Sequence, residues 1–325
     1  MTDLPASAAA AVQACPILAA SRGRATATFQ PKAPALLERL SLALFVLIWS
    51  TGWIVAKSVA EAQADPLTFL VLRYLSAGLL IAGFAWIVGA SWPSTPRQWM
   101  HGLVSGVLLH AIYLGGVWWV IDAGLPAGIS ALIAALQPLL TAFLARPLLG
   151  ERITLTNAIG VATGFAGVLI VLGPKYMHLN PGSASSSFML VAINVAAMFA
   201  VTFGTFYQKR FVAQSDLRSI TAVQYLGAFV VTLPVAALLE PMHIPPTLET
   251  LYALLWSVLV LSIGAISLML VMIRRGAVSK VASLIYLIPP TAAVQAWLMF
   301  GEVLTPMQIL GMAITALGVF LATRR

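Results

Sequence analysis

Apolar residues do not alternate singly along this chain. They gather into long runs divided by short polar breaks. A membrane-crossing helix needs about 20 mostly apolar residues, with about 17–25 tolerated. Ten stretches meet that requirement: Leu40–Ala60, Leu67–Val88, Trp99–Ala123, Pro126–Phe143, Asn157–Leu172, Phe188–Gln208, Ser219–Leu239, Leu248–Ile273, Ala277–Phe300 and Met307–Ala322. The pattern predicts an all-α membrane protein with ten transmembrane helices. Residues 1–35, rich in Ala, Ser, Thr and Pro, lack a helical period and are expected to form a mobile cytoplasmic tail. The apolar run inside that tail, Ala8–Ala20, has no positive start and is broken by Pro16, so it does not read as a signal peptide.

Composition sharpens this reading. Hydrophobic residues make up 60% and charged residues 9% of the chain, against about 25% charged in ordinary soluble domains; mean hydropathy is +0.96. A net charge of +8 invites a nucleic-acid partner, but the Lys and Arg residues sit in breaks between apolar runs and form no single solvated face, so no nucleic-acid binding is expected. The single cysteine, Cys15, excludes a disulfide framework and leaves too few thiols for a zinc or iron–sulfur site. No metal and no cofactor are expected.

The chain also repeats itself. A shift of 151 residues carries Pro138, Gly150, Glu151, Gly160 and Gly167 onto Pro289, Gly301, Glu302, Gly311 and Gly318 without a gap. Apolar bias alone would not align a proline, a Gly-Glu pair and two further glycines. The expected units are residues 36–175 and 186–325. Five helices per unit is an odd number, so the second copy must cross the membrane upside down, giving two inverted five-helix repeats. Basic residues are retained on the cytoplasmic side. With the N terminus inside, only Lys175 of the 18 Lys and Arg residues falls in an outer loop, while Lys57 and Arg73 fall within helices. Both termini are therefore expected to be cytoplasmic. Inverted repeats meeting near the midplane are the architecture of alternating-access transporters.

Trp49-Ser50-Thr51-Gly52 with Lys57, then Arg73-Tyr74, then the duplicated Pro…Gly-Glu…Gly…Gly pattern resemble the EamA family of the drug/metabolite transporter superfamily. The resemblance covers nearly everything from residue 40 to 323, with Ser50 standing where members often carry glycine. It implies a basket of ten helices, helices 1 to 4 and 6 to 9 around a central cavity and helices 5 and 10 at its edge. It also implies export of amino acids or other small metabolites.

Several polar residues inside the apolar runs are candidates for substrate binding. A charge within a membrane helix costs about 2.5–3.5 kcal/mol on insertion scales, so Arg73, about 10 Å into its helix at 1.5 Å per residue, needs an explanation. It either grips a substrate carboxylate through its planar guanidinium or pairs with Asp65, Glu61 or loop carbonyls. Tyr74 adjoins it. Trp49, Trp53 and Lys57 recur every four residues on one stripe, suited to an amphipathic ligand; Lys57 can equally snorkel outwards or meet Glu61 at i+4. His110 and Tyr113 lie near the midplane, where His110 either titrates or bonds a neighbouring helix. Gln137 shares a face with Ser130 and Thr141; Asn194 and Thr202 share one with Thr205 and Lys209; Tyr286 shares one with Ser283. Such stripes either line a cavity or join helices.

The duplicated residues read as structural. Pro138 and Pro289 kink helices, Gly160 and Gly311 allow close packing, and Gly150-Glu151 and Gly301-Glu302 open the turns into helices 5 and 10, where each acid is expected to cap the helix it precedes. No Asp or Glu lies deep in any helix, which makes carboxylate-based proton coupling doubtful.

Together these features predict an exporter of small amphipathic metabolites, amino acids or amino-acid-like compounds, in the bacterial inner membrane. Its partners are a small-molecule substrate and the lipid bilayer, and it acts as a monomer or weak homo-oligomer. The alternatives are a proton-coupled drug or multidrug exporter and, from a different class, a channel or scaffolding membrane protein. An enzyme is not expected, because paired aspartates, a Ser–His pair and a metal set are all missing from the apolar runs.

Overall fold

A computed structural model describes residues 35–149, 155–177, 181–265, 267–268 and 287–323. Tyr286, Gly150 and Glu151 lie outside the described residues. Among the described residues every regular element is a helix: α1 (Ala35–Glu61), α2 (Pro66–Ile87), α3 (Pro96 to Asp122), α4 in two pieces (Ala127–Ala134 and Leu136–Leu149), α5 (Leu155–Met177), α6 (Pro181–Phe211), α7 (Leu217–Leu239), α8 (Leu248 to Ala265), α9 (Ile288–Phe300) and α10 (Pro306–Thr323). Six are long and apolar enough to cross a membrane: Ala43–Glu61 within α1, α2, α3, Phe188–Phe211 within α6, α7 and α8. Ala127–Thr141, Leu155–Val171 and Pro306–Ala322 are shorter apolar helices. The boundaries foreseen from hydropathy lie close to those of α2 and α7, α6 starts earlier than foreseen, and the start foreseen at Ala277 and the end foreseen at Ile273 lie outside the described residues.

Local chemistry explains the helix starts. Thr95 and Gln98 form a reciprocal capping box before α3, and Thr305 with Gln308 makes the same pair of bonds, at 2.8 and 3.2 Å, before α10. Pro66 and Pro96 occupy first-turn positions, where the missing N–H has no partner to lose. Gly301, at φ 66°, closes α9 in the left-handed conformation that residues with a Cβ rarely adopt.

Packing repeats along with the sequence. α2 packs along α7, and α5 along α10, so helices related by the 151-residue shift face each other. The α5–α10 contact is a small-residue seam. A Cβ on Gly160 would strike the backbone of Leu321 and Ala322, and one on Gly311 would lie 2.7 Å from the Gly167 carbonyl oxygen. Helix starts related by the same shift are tied to distant loops too. Asp65 precedes α2 and accepts from the His243 amide at 2.5 Å, while Asp216, 151 residues on, precedes α7 and accepts from the Ser91 amide at 3.3 Å.

The 151-residue shift also relates two wide π-helical segments. Val107–Ile112 in α3 becomes 258–263 under the same shift, inside the π segment Trp256–Ala265 of α8. Outer faces present Leu79, Ile87, Leu169, Leu238 and Leu298, all more than half exposed. That is the surface a hydrocarbon environment selects.

Candidate functional site

Proline chemistry opens the candidate site. Residue 138 has no backbone N–H, so the Ala134 carbonyl loses its usual helical donor, and α4 breaks at Ala135 between its two pieces. Pro289 and Pro290 fall in the first turn of α9. Beside the break in α4 and the first turn of α9 lies a cavity of about 190 Å³. Trp49 and Trp53 of α1, Tyr113 of α3, Leu132, Ala134, Ala135, Gln137 and Pro138 of α4, Ile288, Pro289 and Pro290 of α9, and Met312, Ala313, Thr315, Ala316 and Val319 of α10 line it. None of these residues carries a charge.

The polar groups at this cavity are few. Thr315 donates to the Gly311 carbonyl at 2.8 Å. The Trp53 indole nitrogen is buried without a hydrogen-bond partner. The side chains of Tyr113 and Gln137 likewise make no hydrogen bond among the described residues, although the Gln137 carbonyl accepts from Thr141 at 2.8 Å. Pairs of helices around the site are clipped together by side chains. Ser50 donates to Gln295 Oε1 at 2.9 Å and Gln295 Nε2 to the Leu47 carbonyl at 3.1 Å, joining α1 to α9. Trp256 donates to Thr51 at 2.9 Å, joining α8 to α1.

A second polar cluster sits elsewhere, where α2, α3, α7 and α8 meet. Arg73, 7% exposed, donates through Nε to Ser262 of α8 at 3.2 Å and lies 5.8 Å from the centre of the Trp118 ring. Tyr74 donates to the His110 carbonyl at 3.0 Å. The His110 ring stacks on Tyr225 at 4.8 Å, and its Nδ1 has no partner. Gln224, 151 residues after Arg73, is buried as well and donates to Ser105 of α3 at 3.0 Å. The two positions thus each reach a serine on another helix, Arg73 on α8 and Gln224 on α3.

The residues singled out from sequence therefore separate. Trp49, Trp53, Tyr113, Gln137, Pro138 and Pro289 meet at the cavity. Arg73, Tyr74 and His110 do not reach it, and Arg73 contacts Ser262 and Trp118 instead of Asp65 or Glu61. Lys57 leaves the tryptophan stripe and pairs with Glu61 at 3.7 Å, the i+4 contact anticipated for it. Asn194 donates to Ser130 at 3.0 Å and Thr202 to the Met198 carbonyl of its own helix at 2.7 Å; both are fully buried and away from the cavity.

Two expectations differ from the structure. Glu302 does not turn onto α10, which it precedes. Its carboxylate accepts from the Ala127 and Gly128 amides at 2.9 and 3.0 Å, covering the start of α4. Glu240, in the loop after α7, does the same for α2 through Leu67 and Thr68, each at 2.8 Å. In both cases the unpaired first-turn amides and the positive helix end attract a carboxylate, and the loop nearest in space supplies it. α10, expected at the edge, contributes a full face to the cavity. That face escaped notice because an alanine- and valine-rich surface toward a cavity reads like one toward lipid; Thr315 was its one polar signal.

Comparison with known proteins adds independent findings. The chain matches the EamA-like transporter family profile over residues 37–173 and 187–324. It is 28% identical over 285 residues to the "Uncharacterized inner membrane transporter YedA" of Escherichia coli (strain K12), covering 86% of this chain and 89% of that one. It is 26% identical over 289 residues to the "Probable amino-acid metabolite efflux pump" of Salmonella typhimurium, covering 86% and 92%. Over 207 residues it is 29% identical to the "Probable terminal-alkyne amino-acid exporter" of Streptantibioticus cattleyicolor, covering 63% and 66%. One solved crystal structure superposes with a TM-score of 0.59 over 89% of this chain and 98% of that one, at 19% identity, and establishes the fold alone.

Proposed function

The chain belongs to the EamA-like transporter family, and on that premise we propose that it exports small amphipathic metabolites, amino acids or amino-acid-like compounds, across the bacterial inner membrane. In this reading residues 36–175 and 186–325 form two inverted five-helix repeats, ten spans with both termini cytoplasmic, that rock around a central cavity. The protein works as a monomer or weak homo-oligomer. One observation carries the reading: a cavity of about 190 Å³ beside the break in α4 and the first turn of α9, whose described lining residues carry no charge. The efflux names of the Salmonella and Streptantibioticus relatives support the direction and the class of cargo.

Trp49, Trp53, Tyr113 and Gln137 are the proposed substrate contacts. Arg73, Tyr74, His110 and Asn194 are assigned to contacts between helices, Thr202 to a bond within α6, and Lys57 to an ion pair. With no carboxylate or imidazole among the described lining residues, exchange or facilitated export is favoured over proton antiport. One observation favours the proton-coupled alternative, the partnerless His110 Nδ1.

The test is counterflow with the purified chain in liposomes preloaded with unlabelled neutral amino acids. Saturable, trans-accelerated uptake of labelled substrate is expected, since alternating access couples the two directions. Uptake that neither saturates nor accelerates would make the protein a channel or scaffold. Uphill transport driven by a pH gradient and lost in His110→Gln would establish the proton-coupled alternative.

A further inference from the structure

We infer that the cavity selects cargo without net charge, and that it holds the cargo's polar end with neutral hydrogen-bonding groups of Trp53, Tyr113 and Gln137 in place of an ion pair. The inference rests on the transport reading above and deepens it by naming the substrate class.

Three charged residues of the fold are engaged away from the cavity. Arg73 is spent on Ser262 and the Trp118 ring. Lys57 lies against Glu61. Glu302 covers the α4 amides. No Asp, Glu, Lys, Arg or His is found among the described lining residues. A cargo with an unbalanced charge would lose its hydration there and gain no counter-charge, which is the costly way to bury an ion.

Cargo of zero net charge meets a better match. The Trp53 N–H is buried with no acceptor, an arrangement that native proteins rarely leave unexplained. Tyr113 and Gln137 bring further groups with no partner among the described residues. Pro138 leaves the Ala134 carbonyl without its helical donor, an acceptor suited to an ammonium or amide N–H. Donors and acceptors thus stand together at one cavity, as a zwitterion or a neutral amide requires. The remaining wall of Leu132, Ile288, Met312 and Val319 takes a hydrocarbon side chain. At about 190 Å³ the cavity falls below the about 300–1,000 Å³ typical of drug-sized sites, so the cargo is small.

The experiment uses the full chain in liposomes, with labelled L-leucine in counterflow and unlabelled L-phenylalanine, L-lysine and L-glutamate as competitors. Phenylalanine is expected to compete, with lysine and glutamate at least about tenfold weaker, the discrimination one uncompensated charge readily produces. Trp53→Phe keeps an aromatic ring but removes the N–H, and is expected to raise the KM for leucine about tenfold with maximal flux kept. Met312→Glu, which places a carboxylate on the cavity wall, is expected to shift preference toward lysine. Competition by lysine or glutamate equal to phenylalanine overturns the inference while leaving transport intact. So does an unchanged KM in a folded Trp53→Phe. Counterflow with none of these amino acids overturns the transport reading itself. The competition on the unsubstituted chain decides charge selection whether or not either variant folds.

Discussion

The cavity and the buried seam of α2, α3, α7 and α8 hold the same kinds of residues and, His110 Nδ1 and Thr315 apart, treat them oppositely. In the seam, Arg73, Gln224, Tyr74, Ser105 and Ser262 each find a protein partner. In the cavity, Trp53, Tyr113 and Gln137 have none among the described residues. A satisfied polar group fixes one helix against another; an unsatisfied one is available to a ligand. The contrast assigns geometry to the seam and recognition to the cavity, and it makes the two separable by experiment. Seam substitutions should act on folding or on maximal flux, and cavity substitutions on KM.

Gly106→Leu should have the largest effect. A side chain there would run into the backbone of Gln224 across the α3–α7 contact, so a loss of about 3 kcal/mol or more is expected, read as collapse of monodisperse yield in detergent. A well-folded Gly106→Leu would mean that the seam is loose, and would weaken the contrast at its base. Next, Glu302→Ala should cost about 1–2 kcal/mol, because it strips the Ala127 and Gly128 amides of their acceptor. Thermal unfolding should register this without a matching change in KM.

Gln137→Leu tests the other side. It should raise the KM for a neutral substrate about fivefold, equivalent to about 1 kcal/mol of lost hydrogen bonding, with the melting temperature nearly unchanged. A fall in stability with an unaltered KM would move Gln137 into the seam's class.

The smallest effect should come from Asp216, outside both regions. Hydrogen bonds from Arg218, at 2.9 and 2.5 Å, and from the Arg218 and Ser91 amides hold its carboxyl down to about 2. A depressed acid contributes stability above its ordinary value of 3.8 and loses that contribution as pH falls toward 2. The unsubstituted chain should therefore lose melting temperature across that window, and Asp216→Asn should flatten the loss.

Much of the frame was legible in the chain. Hydropathy placed Leu67–Val88 almost on the observed Pro66–Ile87, and Ser219–Leu239 within Leu217–Leu239. The spacing of Trp49 and Trp53 put them on one face, and the structure turns that face to the cavity. Depth identified Arg73 as buried, since rise per residue is a property of any helix. Its partner was not legible. Which way a helix is rotated depends on its neighbours, and nothing near residue 73 in sequence points to Ser262. Glu302 shows the same limit, because an acid next to a helix start in sequence covered another helix start closer in space.

By itself, then, the sequence determined the apolar runs, the duplication at a shift of 151 residues, and the helix starts and stops set by Pro, Thr and Gly, because hydrophobic length, backbone dihedrals and capping act over a few residues. Only the tertiary structure decided which polar groups are satisfied. The sorting of Arg73 into the seam and Trp53 into the cavity arises from contacts between helices far apart in the chain, where packing chooses each helix's rotation and burial leaves a donor either paired or waiting.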